Sequence, residues 1–282
     1  MKELKKLLRP SLVVFSLAGF ITLIAFTLAG CGGSTAALAS TSTPTVGNPT
    51  PSPSPGASPS PTPTNGAPSN AQVISDIQKL TGWQTCVLSC AGAPAANFSL
   101  TQGIASPSLS GSSDRFSLLS GTNPFGAVMW FKALGAHNSA THFLFDLNFY
   151  VDNPAAAQAL EFYVTQSAGG ARYDFGAQCD LAGGHSWRMW DNIGKKWVAS
   201  AATCPAPAAK TWNHLTFEFQ RQPGGNLMFT AVTVNGTRSV VNLSMQHTAD
   251  SNSGLDVAYQ SDSNNAGTPF AVYLDKINVT YW

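Results

Sequence analysis

Charge is scarce in this 282-residue chain, because only 10% of its residues are Asp, Glu, Lys or Arg and its formal net charge is +1. Nucleic-acid binding requires clustered Lys and Arg side chains that neutralise phosphates. We therefore expect no nucleic-acid partner. Glutamate is especially rare, since beyond Glu3 the sequence contains only Glu161 and Glu218. The role of Glu161, which lies in the alternating stretch QALEFYVTQ, is therefore a central question.

Several common catalytic and metal-binding motifs are also absent from the sequence. It contains no GxSxG nucleophile elbow, no HExxH pair and no P-loop. It also lacks the CxxC pair expected of a structural zinc site. The five histidines, at positions 137, 142, 185, 214 and 247, are scattered along the chain. We interpret His214 as a hydrogen-bonded structural residue. None of the motifs considered so far therefore predicts a catalytic residue.

The first thirty residues have the layout of an export signal. Four basic residues within the first nine positions precede an apolar run, Ser11 to Leu28, which is followed by Ala29, Gly30 and Cys31. The small residues before Cys31 resemble the lipobox of bacterial lipoproteins. This resemblance implies that Cys31 is diacylated and becomes the mature N-terminus; an uncleaved membrane anchor is the alternative. Both interpretations tether the protein to a membrane, with the remainder outside the cytoplasm, at an outer membrane or cell surface.

Residues 31–70 form a low-complexity region dominated by Pro, Ser, Thr and Ala, as in PTPSPSPGASPSPTPT. It has almost no large apolar side chains, so it cannot bury enough surface to offset the entropy lost on ordering. Frequent proline favours extended polyproline II. The sequence therefore predicts a signal peptide at 1–30, a lipidated and disordered linker at 31–70, and a folded domain at 71–282.

The four cysteines of the predicted domain indicate disulfides. An even number of cysteines in an exported domain is typical of paired thiols, and these are Cys86, Cys90, Cys179 and Cys204. The sequence alone leaves all three connectivities open. We favour the two sequence-local bridges, Cys86–Cys90 and Cys179–Cys204.

Short segments that alternate apolar and polar residues recur through the domain and predict an all-β fold. Each has one core face and one solvent face, as two packed antiparallel sheets require. In HFLFDLNFYV, the alternation places Asp146, Asn148 and Tyr150 away from the core. In ALEFYVTQ, it does the same for Glu161 and Tyr163. Only residues 72–81 have apolar positions with helical spacing.

Two longer segments resemble a known family. KTWNHLTFEFQRQPGGNLMFTAVTVNG combines a Trp-x-His strand, a glycine turn and a second strand that ends in Val-Asn-Gly, and the chain closes on FAVYLDKINVTYW. These features resemble the concanavalin A-like lectin/glucanase superfamily, including laminin-G-like domains, over residues 98–282. The resemblance implies a jelly roll, a sandwich of two antiparallel sheets of which one is concave. A carbohydrate-binding module of different topology is the alternative.

The resemblance also supplies a test for catalysis. Glycosidases of this jelly roll share a Glu-x-Asp-x-x-Glu strand motif, and retaining hydrolysis needs two carboxyls about 5–5.5 Å apart. Against that motif the chain offers Glu161, Tyr163 and Gln166, so only the first acid matches. Catalysis would need a second carboxylate, for which Asp146 is the candidate if it is a cross-strand neighbour of Glu161.

Glycan binding is the favoured function, because sugar rings stack on aromatic side chains while planar polar groups bond their hydroxyls. The candidate ligand-binding residues are Asp146, Asn148, Tyr150, Glu161, Tyr163, Gln178, Arg188 and Trp190. Trp187, Trp190 and Trp197 form either a binding platform near the Cys179–Cys204 segment or a cap on the core. Gln260 and Asp262 are weaker candidates for the same face.

Calcium is common in laminin-G-like domains, and Asp152, Asp180, Asp191 and Asp262 supply candidate oxygens. No spacing among them resembles a calcium loop, so we interpret them as turn residues that bond their own backbone. We therefore expect no cofactor and no metal. The predicted protein is a surface lipoprotein that binds a glycan or another extracellular polymer; the alternatives are a glycoside hydrolase and a structural or protein-interaction module of the cell envelope. The sequence does not predict its oligomeric state.

Overall fold

The computed structural model describes residues 66–88 and 90–282. This part of the chain is built almost entirely of β-strands, with two short 3-10 turns at Ile77–Lys79 and Pro154–Ala156. The strands are, in chain order, β1 (Gln72–Ile74), β2 (Gln84–Cys86), β3 (Phe98–Ile104), β4 (Ser113–Leu118), β5 (Ala127–Ala133), β6 (His142–Val151), β7 (Ala157–Ala168), β8 (Ala171–Asp180), β9 (Ser186–Asp191), β10 (Lys196–Thr203), β11 (Trp212–Arg221), β12 (Asn226–Val234), β13 (Thr237–Gln246), β14 (Thr248–Ala249), β15 (Gly254–Ser263) and β16 (Phe270–Tyr281).

The strands form two sheets of eight strands each. Sheet 1 has the order β13-β12-β11-β6-β16-β4-β3, and β1 also pairs with β16. Sheet 2 has the order β10-β9-β8-β7-β15-β5-β2, and β14 also pairs with β8. The ladders between these strands are antiparallel. This arrangement confirms the predicted all-β sandwich of two antiparallel sheets.

The core lies between the sheets and follows the predicted alternation. On β7, Leu160, Phe162 and Val164 are buried in it, as the pattern of ALEFYVTQ requires. Aromatic rings from the two sheets pack against each other: Phe162 and Phe217 have centroids 5.8 Å apart, and Trp187 meets Phe217 edge-on at 5.1 Å. Each large side chain buried in this way contributes about 1.5–3 kcal/mol.

Residues 72–81 differ from the helix that their spacing predicts, because they form β1 and a 3-10 turn. Val73 pairs with Thr280 of β16 and remains 55% exposed, so the apolar residues do not share one buried face. Gln78 is buried instead, and its Oε1 accepts a hydrogen bond of 2.9 Å from the backbone N–H of Ile277. Tertiary pairing with β16 therefore outweighs the local helical preference.

Both favoured disulfides are confirmed. Cys86 at the end of β2 pairs with Cys90, and Cys179 on β8 pairs with Cys204 just beyond β10. Disulfides persist in oxidising compartments, which indicates an extracytoplasmic protein. The predicted signal peptide, Cys31 and nearly all of the predicted linker lie outside the described residues. Within residues 66–88 and 90–282, no helix is long and apolar enough to cross a membrane.

Candidate functional site: a groove on the outer face of sheet 2

A groove of about 780 Å³ lies on the outer face of sheet 2. Its floor comes from β5, β7, β8 and β15. Residues 90–92, which begin at the second cysteine of the Cys86–Cys90 bridge, line it, as does the β9–β10 hairpin with Trp190 and Trp197. This volume falls within the range of small-ligand sites, about 300–1,000 Å³.

Strand register sets the floor residues in three rows across the sheet. Outward-facing residues of β7 alternate with core residues, so every second position meets its partner on β8 and on β15. The rows are Gln178–Glu161–Gln260, Gly176–Tyr163–Ala258 and Asp174–Thr165–Asp256. These three rows therefore combine amides, carboxyls and one aromatic ring.

The ring of Tyr163 lies across strand β8. A Cβ atom added at Gly176 would stand only 2.5 Å from Cε1 and 2.8 Å from Cδ1 of Tyr163. The ring therefore occupies the space that any other side chain at position 176 would fill. Glycine at this position lets the ring lie over strand β8, where Tyr163 lines the groove.

Glu161 holds the hydroxyl end of this ring. Its Oε2 accepts a hydrogen bond of 2.5 Å from the Tyr163 hydroxyl, and its Oε1 accepts one of 2.7 Å from Nε2 of Gln178. Glu161 lies on the face opposite the core, as the alternation predicts, but it is only 2% exposed. The expectation of a solvent-facing side chain is therefore wrong for Glu161, because Tyr163 and its row neighbours cover it.

The environment of Glu161 favours its neutral form. Burial raises the pKa of Glu161 well above its ordinary value, and the charge of Asp262 raises it further. Burial also raises the pKa of Asp262, to about 6, although Gln260 donates a hydrogen bond of 2.8 Å to Asp262 Oδ1. Burial therefore favours the neutral form of Glu161, although the hydrogen bonds from Tyr163 and Gln178 act to lower its pKa.

Aromatic and charged side chains surround this floor. Trp190 and Trp197 are cross-strand partners with ring centroids 5.2 Å apart, and Trp197 lies 6.2 Å from the Tyr163 ring. In the third row, Asp174 forms an ion pair of 2.8 Å with Arg172 and accepts a hydrogen bond of 3.0 Å from Thr165. The groove thus has an aromatic side and a polar end.

The predicted ligand-binding residues separate into two groups. Glu161, Tyr163, Gln178, Arg188 and Trp190 all belong to sheet 2, where strand pairing brings them together. Of these, Glu161, Tyr163 and Trp190 line the groove. Gln178 supports Glu161 from the neighbouring strand.

The other three candidates, Asp146, Asn148 and Tyr150, lie on β6 in sheet 1. Asp146 Oδ2 is 2.8 Å from Nε2 of His214 and accepts a hydrogen bond of 2.6 Å from Thr216. The expectation that Asp146 is a cross-strand neighbour of Glu161 is therefore wrong. The chain changes sheets between β6 and β7, which an alternating pattern does not reveal.

Arg188 is directed to a turn rather than to the groove floor. It forms an ion pair with the buried Asp180, which also accepts a hydrogen bond of 3.2 Å from the backbone N–H of Gly183. Asp191 likewise accepts from the backbone N–H groups of Ile193 and Gly194. In the part of the chain that the structure describes, no group of three or more His, Cys, Asp or Glu is placed to hold a metal ion.

The sequence interpretation missed Gly176, Asp174 and Asp256. The alternation of β8 contains all the information needed to place Asp174 and Gly176 on the outer face. Their relevance depends on register, because only the pairing with β7 sets them beside Thr165 and Tyr163. A glycine within a strand does signal a close approach by a neighbour, and Gly176 is such a position.

Comparison with known proteins gives structural likeness only. No protein-family model matches the chain, and no curated protein matches its sequence. The chain is similar to the carbohydrate recognition domain of Emp47p, at 14% identity over 77% of this chain and 99% of that chain, with a TM-score of 0.46. It is similar to arcelin-5, a lectin-like defense protein from Phaseolus vulgaris, at 9% identity over 75% and 98%, with a TM-score of 0.45. It is also similar to a mutant of the alginate lyase Aly36B in complex with an alginate trisaccharide, at 12% identity over 73% and 97%, with a TM-score of 0.42.

Proposed function

We propose that the protein binds a glycan in the groove of sheet 2 and does not cleave it. The observation that carries the proposal is the Tyr163 ring, which lies along the groove floor over Gly176 with Trp197 beside it. Sugar rings present an apolar face that packs on such aromatic surfaces. The hydrogen bond from the Tyr163 hydroxyl to Glu161 fixes one end of the ring. Gly176 leaves free the space that the ring occupies.

The polar groups around the ring suit the hydroxyls of a sugar. Thr165, Asp174 and Asp256 continue the floor beyond Tyr163, and Gln260 lies in the adjoining row. Ligand sites typically combine a largely apolar lining with a few such fixed polar groups. Oε1 of Gln260 is buried and has no hydrogen-bond partner among the described residues, so a ligand hydroxyl at this position would satisfy it.

The environment of Glu161 argues against hydrolysis. A retaining mechanism needs an ionised nucleophile and a separate acid about 5–5.5 Å away, with both facing the substrate. Burial favours the neutral form of Glu161, and both of its oxygens accept hydrogen bonds from Tyr163 and Gln178. Asp262, the acid beside it, does not line the groove. Asp146, the partner acid that the sequence suggests, lies in the other sheet. We therefore propose that Glu161 supports the binding surface.

The site is proposed to be displayed at a membrane surface. The two disulfides favour an extracytoplasmic location, and the lipobox resemblance at Cys31 supplies the proposed lipid anchor. Replacing Cys31 by Ser tests the anchor directly. We expect labelled palmitate to be incorporated into the parent protein and not into Cys31→Ser; equal labelling of the two would contradict lipidation at this residue.

A glycan array probed with the full-length Cys31→Ser protein tests the binding function. We expect signal on a limited set of glycans and loss of that signal in the Tyr163→Ala variant. Tyr150→Ala is the matched control, because Tyr150 lies on sheet 1. No signal on any glycan would refute the proposal and favour a structural or protein-interaction module. Release of shortened sugars from a bound glycan would instead establish hydrolysis.

A further inference from the structure

A second pocket, of about 210 Å³, lies at the core side of sheet 2. Phe149 of sheet 1 and Phe162 of sheet 2 line it together with the Cys179–Cys204 bridge. It shares no lining residue with the groove. Protein interiors are close-packed, with few voids larger than a water molecule, so a space of this size inside a sandwich needs an explanation.

Three aromatic side chains line this pocket, together with smaller apolar residues and with Asn213 and Asn235. Phe162 lies 6.0 Å from Phe149 and 6.3 Å from Trp187, measured between ring centroids. Leu160 completes the apolar surface, and all four side chains are at most 6% exposed. An apolar cavity of about 150 Å³ is already large enough to bind benzene. This pocket therefore has room for a single aromatic ring with a small substituent.

One of the lining residues carries an unsatisfied polar atom. Nε1 of Trp187 is buried and has no hydrogen-bond partner among the described residues. Trp187 itself is only 1% exposed. A buried N–H without an acceptor costs about 1–3 kcal/mol, and the indole nitrogen is a donor only. A ligand that brings an acceptor oxygen to this N–H would remove that cost.

The segment over the pocket has no regular secondary structure. Pro205, Ala206, Pro207 and Ala208 line one side of it and belong to no strand or helix. Within the described part of the chain these four residues make no backbone hydrogen bond, whereas Cys204 just before them is held by its bridge and by His185. The segment is held before its start by Cys204 and after its end by the backbone hydrogen bond from Lys210 to Val151, and between these points it can shift without breaking a ladder.

We propose that this pocket is a second ligand site, for a small aromatic molecule that carries a hydrogen-bond acceptor such as a carbonyl oxygen. The ring fills the space among Phe149, Phe162 and Leu160, and the acceptor meets Nε1 of Trp187. The site is independent of the groove, because it lies on the opposite side of sheet 2.

Titration of the full-length Cys31→Ser protein with acetophenone and with ethylbenzene, followed by NMR, tests this proposal. Both probes carry a two-carbon substituent on a benzene ring, but only acetophenone has the carbonyl oxygen that can accept a hydrogen bond. The indole N–H signal of Trp187 is assigned from its loss in Trp187→Phe. We expect acetophenone to shift this signal saturably and to bind about 5-fold more tightly than ethylbenzene, which corresponds to one net hydrogen bond.

Two variants and one internal control separate the pocket from other sites. Val234 lines the pocket and is half-buried, so Val234→Phe should fill it and weaken acetophenone binding at least about 5-fold. Tyr163→Ala alters the groove and should leave that binding unchanged. A Trp187 signal that does not move with saturating acetophenone would overturn the proposal and indicate a bound water only. A shift confined to Trp190 and Trp197 would place the probe in the groove and also overturn it.

Discussion

Adding one methyl group at Gly176 tests whether the Tyr163 ring lies flat on the groove floor. In Gly176→Ala the new Cβ would stand 2.5 Å and 2.8 Å from two ring carbons and 3.1 Å from Cβ of Trp190. The backbone itself accepts alanine, because the φ angle of Gly176 does not lie in the positive region that favours glycine. The ring must therefore lift from the sheet. Overpacking of this kind typically costs about 1–3 kcal/mol, and the hydrogen bond to Glu161 contributes about 1 kcal/mol more if it breaks.

Part of that loss is offset, because alanine in a strand is favoured over glycine by about 0.5–1 kcal/mol. We expect a net loss of about 1–3 kcal/mol in the free energy of unfolding, measured by urea denaturation. Loss of aromatic packing worth about 0.5–1.5 kcal/mol should weaken glycan binding by about 2- to 12-fold. Isothermal titration with a glycan that gives signal on the array measures this change.

The control is Gly176→Ala made in the Tyr163→Ala variant, which lacks the aromatic ring. In the Tyr163→Ala background only the 3.1 Å approach to Cβ of Trp190 remains, so Gly176→Ala should cost much less than in the parent protein. The double-mutant cycle therefore predicts a coupling of about 1–3 kcal/mol between the two positions. Equal destabilisation by Gly176→Ala in both backgrounds would refute the placement of the ring over Gly176.

Three further predictions concern the buried acids. Glu161→Ala should cost about 2–4 kcal/mol by leaving two donors unsatisfied. Glu161→Gln should cost clearly less, because its amide oxygen keeps one acceptor and burial already disfavours the charged form of Glu161; equal effects of the two variants in urea denaturation would contradict this. Asp275 is fully buried and accepts hydrogen bonds from Ser108, Ser110 and the backbone N–H of Leu109. Burial raises the pKa of Asp275, but these hydrogen bonds outweigh burial and lower the pKa overall. Asp275→Ala should therefore cost about 3 kcal/mol or more in urea denaturation. Burial raises the pKa of Asp114 to about 6, so the folded state holds this proton more tightly than the unfolded state. The free energy of unfolding should therefore fall as pH rises from about 4 to 6. Asp114→Asn should flatten that part of the stability–pH profile, and an unchanged slope would exclude Asp114 as its source.

Local patterns were sufficient for most of the fold. Alternation in ALEFYVTQ separates Phe162 from Tyr163 because strand side chains point to opposite faces whatever the topology. The Cys86–Cys90 and Cys179–Cys204 pairs were also predictable, because each joins residues close in sequence. The segment at 72–81 was not, since its pairing with β16 depends on residues about two hundred positions away.

The site was predictable only in part, because periodicity does not state which sheet a strand joins. The patterns of β6 and β7 are equivalent in form, yet Asp146 and Glu161 lie in different sheets. Alternation also does not report burial on the outer face, where Tyr163 and Gln178 cover Glu161. The role of Gly176 required the register between β7 and β8.

The most direct test of the central claim compares Tyr163→Ala with Tyr150→Ala on the same glycan. Both substitutions remove a half-buried tyrosine, but only Tyr163 lies in the groove of sheet 2; Tyr150 packs on Trp212 and Tyr273 in sheet 1. Titration calorimetry with the full-length Cys31→Ser protein supplies both affinities. The proposed function predicts that Tyr163→Ala lowers the glycan affinity by about 2- to 12-fold and that Tyr150→Ala leaves it unchanged. Retained affinity in Tyr163→Ala, or a loss only in Tyr150→Ala, would contradict a glycan site in this groove.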